Sequence, residues 1–220
     1  MMNGDQYPVT RGRDLNHVAW LYDPLVEKLS FGRERRFREK TISCMDIQDT
    51  DRILDIGCGT GSLTLLLARR ITAPGEVIGI DAAPRMIAIA RQKAAKKHSP
   101  AYFQVGIAES LSFADASFDW VVNSMFTHHI DSGLKEKAFA EMYRVLRPGG
   151  LLLTADIDRP TTAMGMLLGW GGRYLLLQPE LEDNLLGRLA DFMRGAGFVE
   201  VEKKAHLHGL VSFFKARKPE

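Results

Sequence analysis

The sequence predicts an α/β fold: a doubly wound, seven-stranded, mostly parallel sheet whose last strand runs antiparallel, preceded by a helical segment. Three observations predict it. Short β-branched runs alternate with longer helical stretches between residues 52 and 157. Glycines punctuate the turns between them. The last two apolar runs, 198–205 and 210–216, are separated by too few residues for a crossover helix, so they pair antiparallel.

Taken in order, residues 1–45 form an N-terminal helical segment and residues 46–220 the main domain. His17, Trp20, Tyr22, Leu25 and Leu29 fall roughly on one helical face, and Ser30-Phe31-Gly32 breaks the pattern. Arg52–Gly57 is a short strand ending in glycine, and Ser62–Ile71 has helical length and composition. Glu76–Asp81 is the second strand. Pro84 opens the next helix, where its missing N–H is tolerated, and Met86, Ile87, Ile89 and Ala90 give that helix an apolar side. Ala101–Val105 and Phe118–Ser124 are the third and fourth strands. Leu134–Leu146 is an amphipathic helix stopped by Pro148-Gly149-Gly150, and Leu151–Ile157 is the fifth strand. Leu181–Ala196 is a helix that closes at Gly197.

Composition narrows the function classes. Lys plus Arg total 29 against 27 Asp plus Glu, so charge gives no reason to expect a nucleic-acid partner. Hydrophobic residues make up 45%, enough for a sizeable core, which excludes disorder as the main state. Cys44 and Cys58 alone form no disulfide framework, and the adjacent His128-His129 lack metal-ligand spacing, so no metal is expected. Two lone thiols and a polar start without an apolar signal core fit a cytoplasmic protein. The apolar stretch Ala163–Leu177 is too broken for the ~20 residues of a bilayer span. Its Met164, Met166, Leu167, Leu168, Trp170 and Tyr174 leave four readings open: a greasy acceptor channel, a core helix, an oligomer contact, or peripheral contact with a lipid surface.

The chemistry concentrates in Asp55-Ile-Gly57-Cys-Gly59-Thr60-Gly61, between a strand and a helix, and in Asp81 at the end of the next strand. Glycines there let a ligand lie against bare N–H groups, and an acid at that place can accept from both hydroxyls of a ribose. The dinucleotide fingerprint of a nicotinamide-dependent oxidoreductase needs Gly or Ala at position 62, where Ser62 stands.

The spacing Asp-x-Gly-x-Gly-x-Gly instead resembles motif I of the class I S-adenosylmethionine-dependent methyltransferases. The likeness continues through Val77–Arg91, through Gly106-Ile107-Ala108-Glu109 to Phe118-Asp119, and through Tyr143-Arg-Val-Leu-Arg-Pro-Gly-Gly150. Tyr22-Asp23, Ser30-Phe31-Gly32-Arg33 and Arg144–Asp158 are similar to signatures of the ubiquinone/menaquinone C-methyltransferase group. Departures stand at Leu25-Val26, at Met125-Phe-Thr-His128-His129 and at Asp156-Ile157-Asp158. Bacterial phospholipid N-methyltransferases also resemble this group.

The resemblance implies a Rossmann-like methyltransferase fold, S-adenosylmethionine as cofactor (S-adenosylhomocysteine as product) and the N-terminal segment as a lid. Gly57, Gly59 and Gly61 would face the methionine end, with polar help from Asp55 and Thr60. Asp81, with Ala82 beside it, would hold the ribose. Met86, Ile107 and Ala108 would surround the adenine, where Ile107 replaces the usual Asp, and Ser124 would touch the cofactor. The acceptor is then a small, lipophilic molecule, either a quinone-precursor ring carbon or a lipid amine. Both need one base near the end of the fourth strand. His128 and His129 are candidates, with a solvated or helix-capping pair as the plain alternative. Tyr22 is another, or a core aromatic. A catalytically silent cofactor-binding module is the rival reading.

Overall fold

In the computed structural model the described residues are 7, 10–12, 33–73, 75–175 and 177–220. The apolar stripe expected from His17 to Leu29, with Tyr22, lies outside them.

Helix α1 (Arg33–Ser43) precedes the sheet. Strand β1 (Arg52–Ile56), helix α2 (Ser62–Leu67), β2 (Glu76–Asp81), α3 (Pro84–Lys96) and β3 (Tyr102–Val105) form one half. Strand β4 (Phe118–Ser124), α4 (Ser132–Val145) and β5 (Leu146–Ile157) begin the other. Then come α5 (Ala163–Leu175), α6 (Glu182–Leu185), α7 (Leu189–Gly195), β6 (Val199–Leu207) and β7 (Val211–Arg217). The seven strands lie in the order β3-β2-β1-β4-β5-β7-β6, and β7 runs antiparallel to both β5 and β6. The predicted sheet and its reversed last strand are therefore observed.

The central strands are buried on both faces, which is why they read as continuous apolar runs. Alternation still divides them. Leu54, Ile56, Val121 and Leu152 join Phe139 and Met142 of α4 and Met193 of α7 in one core. Ile53, Trp120, Val122 and Leu153 join Leu63 and Leu67 of α2 and Ile42 of α1 in the other.

Three differences from expectation go beyond a residue or two at an element's end. Helix α2 ends at Leu67 rather than Ile71. The single helix expected over 181–196 is two, because Gly187 adopts φ +78° against the Arg159 side chain. Strand β5 starts at Leu146, and a bulge carries Pro148-Gly149-Gly150 within it, so Phe118 pairs with Leu146 and Trp120 with Leu151.

Helix α5 is not a core helix. It buries Gly165 and Gly169, and a Cβ on Gly165 would lie 2.3 Å from the Gly209 carbonyl oxygen. Met164, Met166, Leu167, Leu168 and Tyr174 are exposed.

Candidate functional site

The carboxyl ends of the parallel strands open on a cavity of about 1050 Å³ where the strand order reverses between β1 and β4. Ligands of open α/β sheets bind at this switch point, in pockets of roughly 300–1,000 Å³. The cavity is thus large for one small molecule.

Its floor is the glycine loop. Gly57, at φ +71°, has no room for a Cβ, which would fall 2.5 Å from a ring carbon of Phe126. Gly59, at φ +54°, has open space at that position, a cradle for a ligand against the backbone. Gly61 does not line the cavity. It precedes α2 at φ +77° with the Phe103 ring where a Cβ would stand. Asp81 fixes the loop: Oδ2 accepts from the Gly59 N–H at 2.9 Å and Oδ1 from the Ala83 N–H at 2.9 Å. Lys93 of α3 donates from Nζ to the Thr60 carbonyl, the Thr60 hydroxyl and the Ser62 hydroxyl at 2.9–3.1 Å.

Asp55, Thr60, Ala82, Met86, Ile107, Ala108 and Ser124 line the same cavity. Asp55 is fully buried and accepts from the Thr64 hydroxyl at 2.6 Å. Burial pushes its pKa up to about 7 against that hydrogen bond and the Arg38 charge. Burial also raises the Cys58 thiol, so the loop cysteine stays protonated. The 107–113 segment is held by Arg144, whose guanidinium donates to the Leu111 and Phe113 carbonyls and to Asp115 and Glu141.

The opposite wall comes from distant segments: Phe37 and Arg38 of α1, Phe126 to Ile130, and Leu207, His208 and Val211 around the β6–β7 turn. Arg38 pairs with Glu34 at 2.9 Å. Helix α5 does not line the cavity, so its methionines and leucines form no acceptor channel among the described residues.

His128 and His129 both line the cavity, and their rings stand 3.9 Å apart. They are not equivalent. Strand β4 ends in a strained turn with Met125 at φ +54°, followed by a 3₁₀ turn over Thr127–His129. This turn folds onto Asp156, near the end of β5. His128 Nδ1 lies 2.6 Å from Asp156 Oδ1, which also accepts from the Ile157 N–H at 2.7 Å. Asp156 Oδ2 accepts from the Phe126 N–H, the Thr127 N–H and the Thr127 hydroxyl at 2.9, 2.6 and 2.7 Å. Burial alone would raise this carboxyl. The His128 charge and the donors overrule it and hold Asp156 at about 2.

Sequence reasoning missed Asp156 as the His128 partner. The available signal was an acid at an inward position of an apolar strand, one residue beyond the Ala155 that pairs with Ser124. Tyr22 lies outside the described residues. Among those described, no cluster of three His, Cys, Asp or Glu could hold a metal ion, and no helix is long and apolar enough to cross a membrane.

Residues 53–150 match the model of a methyltransferase domain family. The chain is 41% identical over 147 residues to a demethylmenaquinone methyltransferase of Thermus thermophilus, covering 66% of this chain and 64% of that protein. Over this stretch the chain is similar to S-adenosylmethionine-dependent methyltransferases. A ubiquinone/menaquinone biosynthesis C-methyltransferase of Pectobacterium carotovorum is 35% identical over 159 residues, covering 71% and 62%. The match thus spans under two thirds of either relative's length. A solved S-adenosylmethionine-dependent methyltransferase from Methanosarcina mazei superimposes with a TM-score of 0.63 at 26% identity, covering 81% of this chain and 97% of that one. These similarities favour neither a nicotinamide oxidoreductase nor a silent module.

Proposed function

We propose that the chain transfers a methyl group from S-adenosylmethionine to a small lipophilic acceptor, with His128 taking the acceptor's proton. One observation carries this reading: the His128–Asp156 pair opens on the same cavity as the glycine loop. The cofactor, when bound, supplies an electrophilic methyl on a charged sulfonium. The open cradle at Gly59, beside the Asp81 carboxylate, fits its nucleoside and methionine parts.

The chain's residues then orient and deprotonate. Asp81 holds the ribose, while Met86, Ile107 and Ala108 pack the adenine end. Alignment of donor and acceptor supplies several kcal/mol of the barrier. Phe37, Phe126, Ile130, Leu207 and Val211 keep water from the acceptor side. Because Nδ1 of His128 is engaged by an ionised Asp156, Nε2 is the nitrogen that accepts the proton of a phenolic hydroxyl or an ammonium. The relatives' names favour a quinone-precursor ring carbon over a lipid amine.

The test is His128→Gln. Turnover should fall by roughly 10²–10⁴-fold, the usual worth of a positioned base. Cofactor affinity by calorimetry should be unchanged. Wild-type turnover in the variant would remove His128 from the mechanism. Labelled methyl donor offered with demethylated quinols and, separately, with phosphatidylethanolamine vesicles distinguishes the two acceptors.

A further inference from the structure

We infer that Asn184 of α6 is a positioning residue for His128, acting through the hydroxyl of Thr127. The inference rests on the reading of His128 as the base, but its test does not depend on turnover.

Asn184 is fully buried and reaches the pair from behind. Its Nδ2 donates to the Thr127 hydroxyl oxygen at 3.0 Å and to the Ile157 carbonyl at 2.9 Å. An amide nitrogen only donates, so the Thr127 oxygen must accept from it. The single Thr127 proton is therefore directed to Asp156 Oδ2, 2.7 Å away. That third donor completes the set on Oδ2 and leaves Oδ1 for Ile157 N–H and His128. The amide oxygen of Asn184 meets no donor, so half of the side chain's hydrogen-bonding capacity goes unused.

Asn184 is itself anchored. The fully buried Lys135 of α4 donates to the Glu180 carbonyl at 2.7 Å and to Asp183 at 3.2 Å, and Ser132 donates to Asp183 at 2.7 Å. Helix α4 thus pins the short helix α6 at the residue next to Asn184.

The charge consequence has a sign. Without Asn184 the Thr127 hydroxyl is free to turn away, Asp156 loses a donor, and its less-shared negative charge stabilises the imidazolium. His128 then titrates at higher pH. Among the described residues the other charged or titratable groups are His129 beside the ring, Lys135 and Asp183 beyond Asn184, and Glu34, Arg36, Arg38, Lys40, Asp55, Cys58, Asp81, Glu109 and His208 lining the cavity. None is altered by the substitutions below.

The experiment is an NMR pH titration of the His128 ring in the ligand-free full chain. Asn184→Leu and Thr127→Val should each raise the midpoint by about 0.5–1 pH unit, the size expected for one lost hydrogen bond to a charged partner. The double variant should move no further than Thr127→Val alone, because both act through one hydroxyl. A folded Asn184→Leu protein with the wild-type midpoint, or additive shifts in the double variant, overturns the inference. Should Asn184→Leu fail to fold, Asn184→Ala carries the same expectation. If His128→Gln keeps full turnover while these shifts appear, the base assignment fails and the positioning role stands.

Discussion

Asp55 and Asp156 lie in one site and titrate in opposite directions, because the Thr64 hydroxyl is the one side-chain donor on Asp55, while Asp156 takes four donors besides the His128 ring. The stability consequence differs in sign. Asp156 contributes stability that is present above the ordinary carboxylate range near pH 4 and is lost as pH falls toward 2. Asp55 keeps its proton in the folded chain up to about pH 7, while the unfolded chain gives it up near 3.8. Folding therefore weakens as pH rises from about 4 to 7 and stays level above that, by as much as ~4 kcal/mol if the whole shift is expressed. Asparagine keeps an acceptor for Thr64 and has no proton to lose. Asp55→Asn should be more stable than wild type at pH 8, and the gap should close near pH 4. Urea midpoints across that range check it; parallel curves for the two proteins would show that Asp55 does not hold this proton.

At the scale of elements, the glycine loop separates two kinds of glycine. Gly57→Ala meets both a positive φ and the Phe126 ring, so it should lose about 1–3 kcal/mol of folding stability as an overpacked position. Gly59→Ala meets only the backbone penalty, and its methyl enters the ligand's space. It should melt within a few degrees of wild type yet bind S-adenosylmethionine at least about tenfold more weakly, a loss near 1.4 kcal/mol. Equal affinity with a lower melting temperature would place the cofactor away from Gly59. This strand–loop–helix unit is legible in the sequence because its signals are local: a short apolar run, glycines at fixed offsets, an acid one strand later. The number of strands and the reversed last one follow from the same local patterns. The site's other half is not legible, because it is assembled from contacts between residues 28 to 57 positions apart, such as His128 with Asp156 and Thr127 with Asn184. One local reading also yields to tertiary context: the apolar stretch of α5 lies off the cavity, with Gly165 packed against Gly209.

Over the whole molecule, the cavity joins segments far apart in sequence: α1, the loop after β1, the end of β2, residues 106–109, the 125–130 turn and the β6–β7 turn. A ligand that touches several of them binds the folded chain and has no comparable site in the unfolded one. Its binding energy therefore adds to folding stability, by about 2.7 kcal/mol when its free concentration is a hundred times Kd. For a chain of this size each kcal/mol raises Tm by roughly 2–4 °C, so S-adenosylmethionine or S-adenosylhomocysteine should raise it by about 5–11 °C. Asp81 is the link between the loop and the ribose side, since one carboxylate holds both the Gly59 and Ala83 N–H groups. Asp81→Ala should therefore weaken cofactor binding by about 1–3 kcal/mol, through unpaired hydroxyls and a loosened loop together. At the same ligand concentration most of the thermal shift should disappear. Calorimetry with S-adenosylmethionine separates the ligand effect from any change in the ligand-free Tm. An Asp81→Ala protein with wild-type affinity and an undiminished thermal shift would mean that the nucleoside is held elsewhere, and the cofactor half of the proposed site would fall with it.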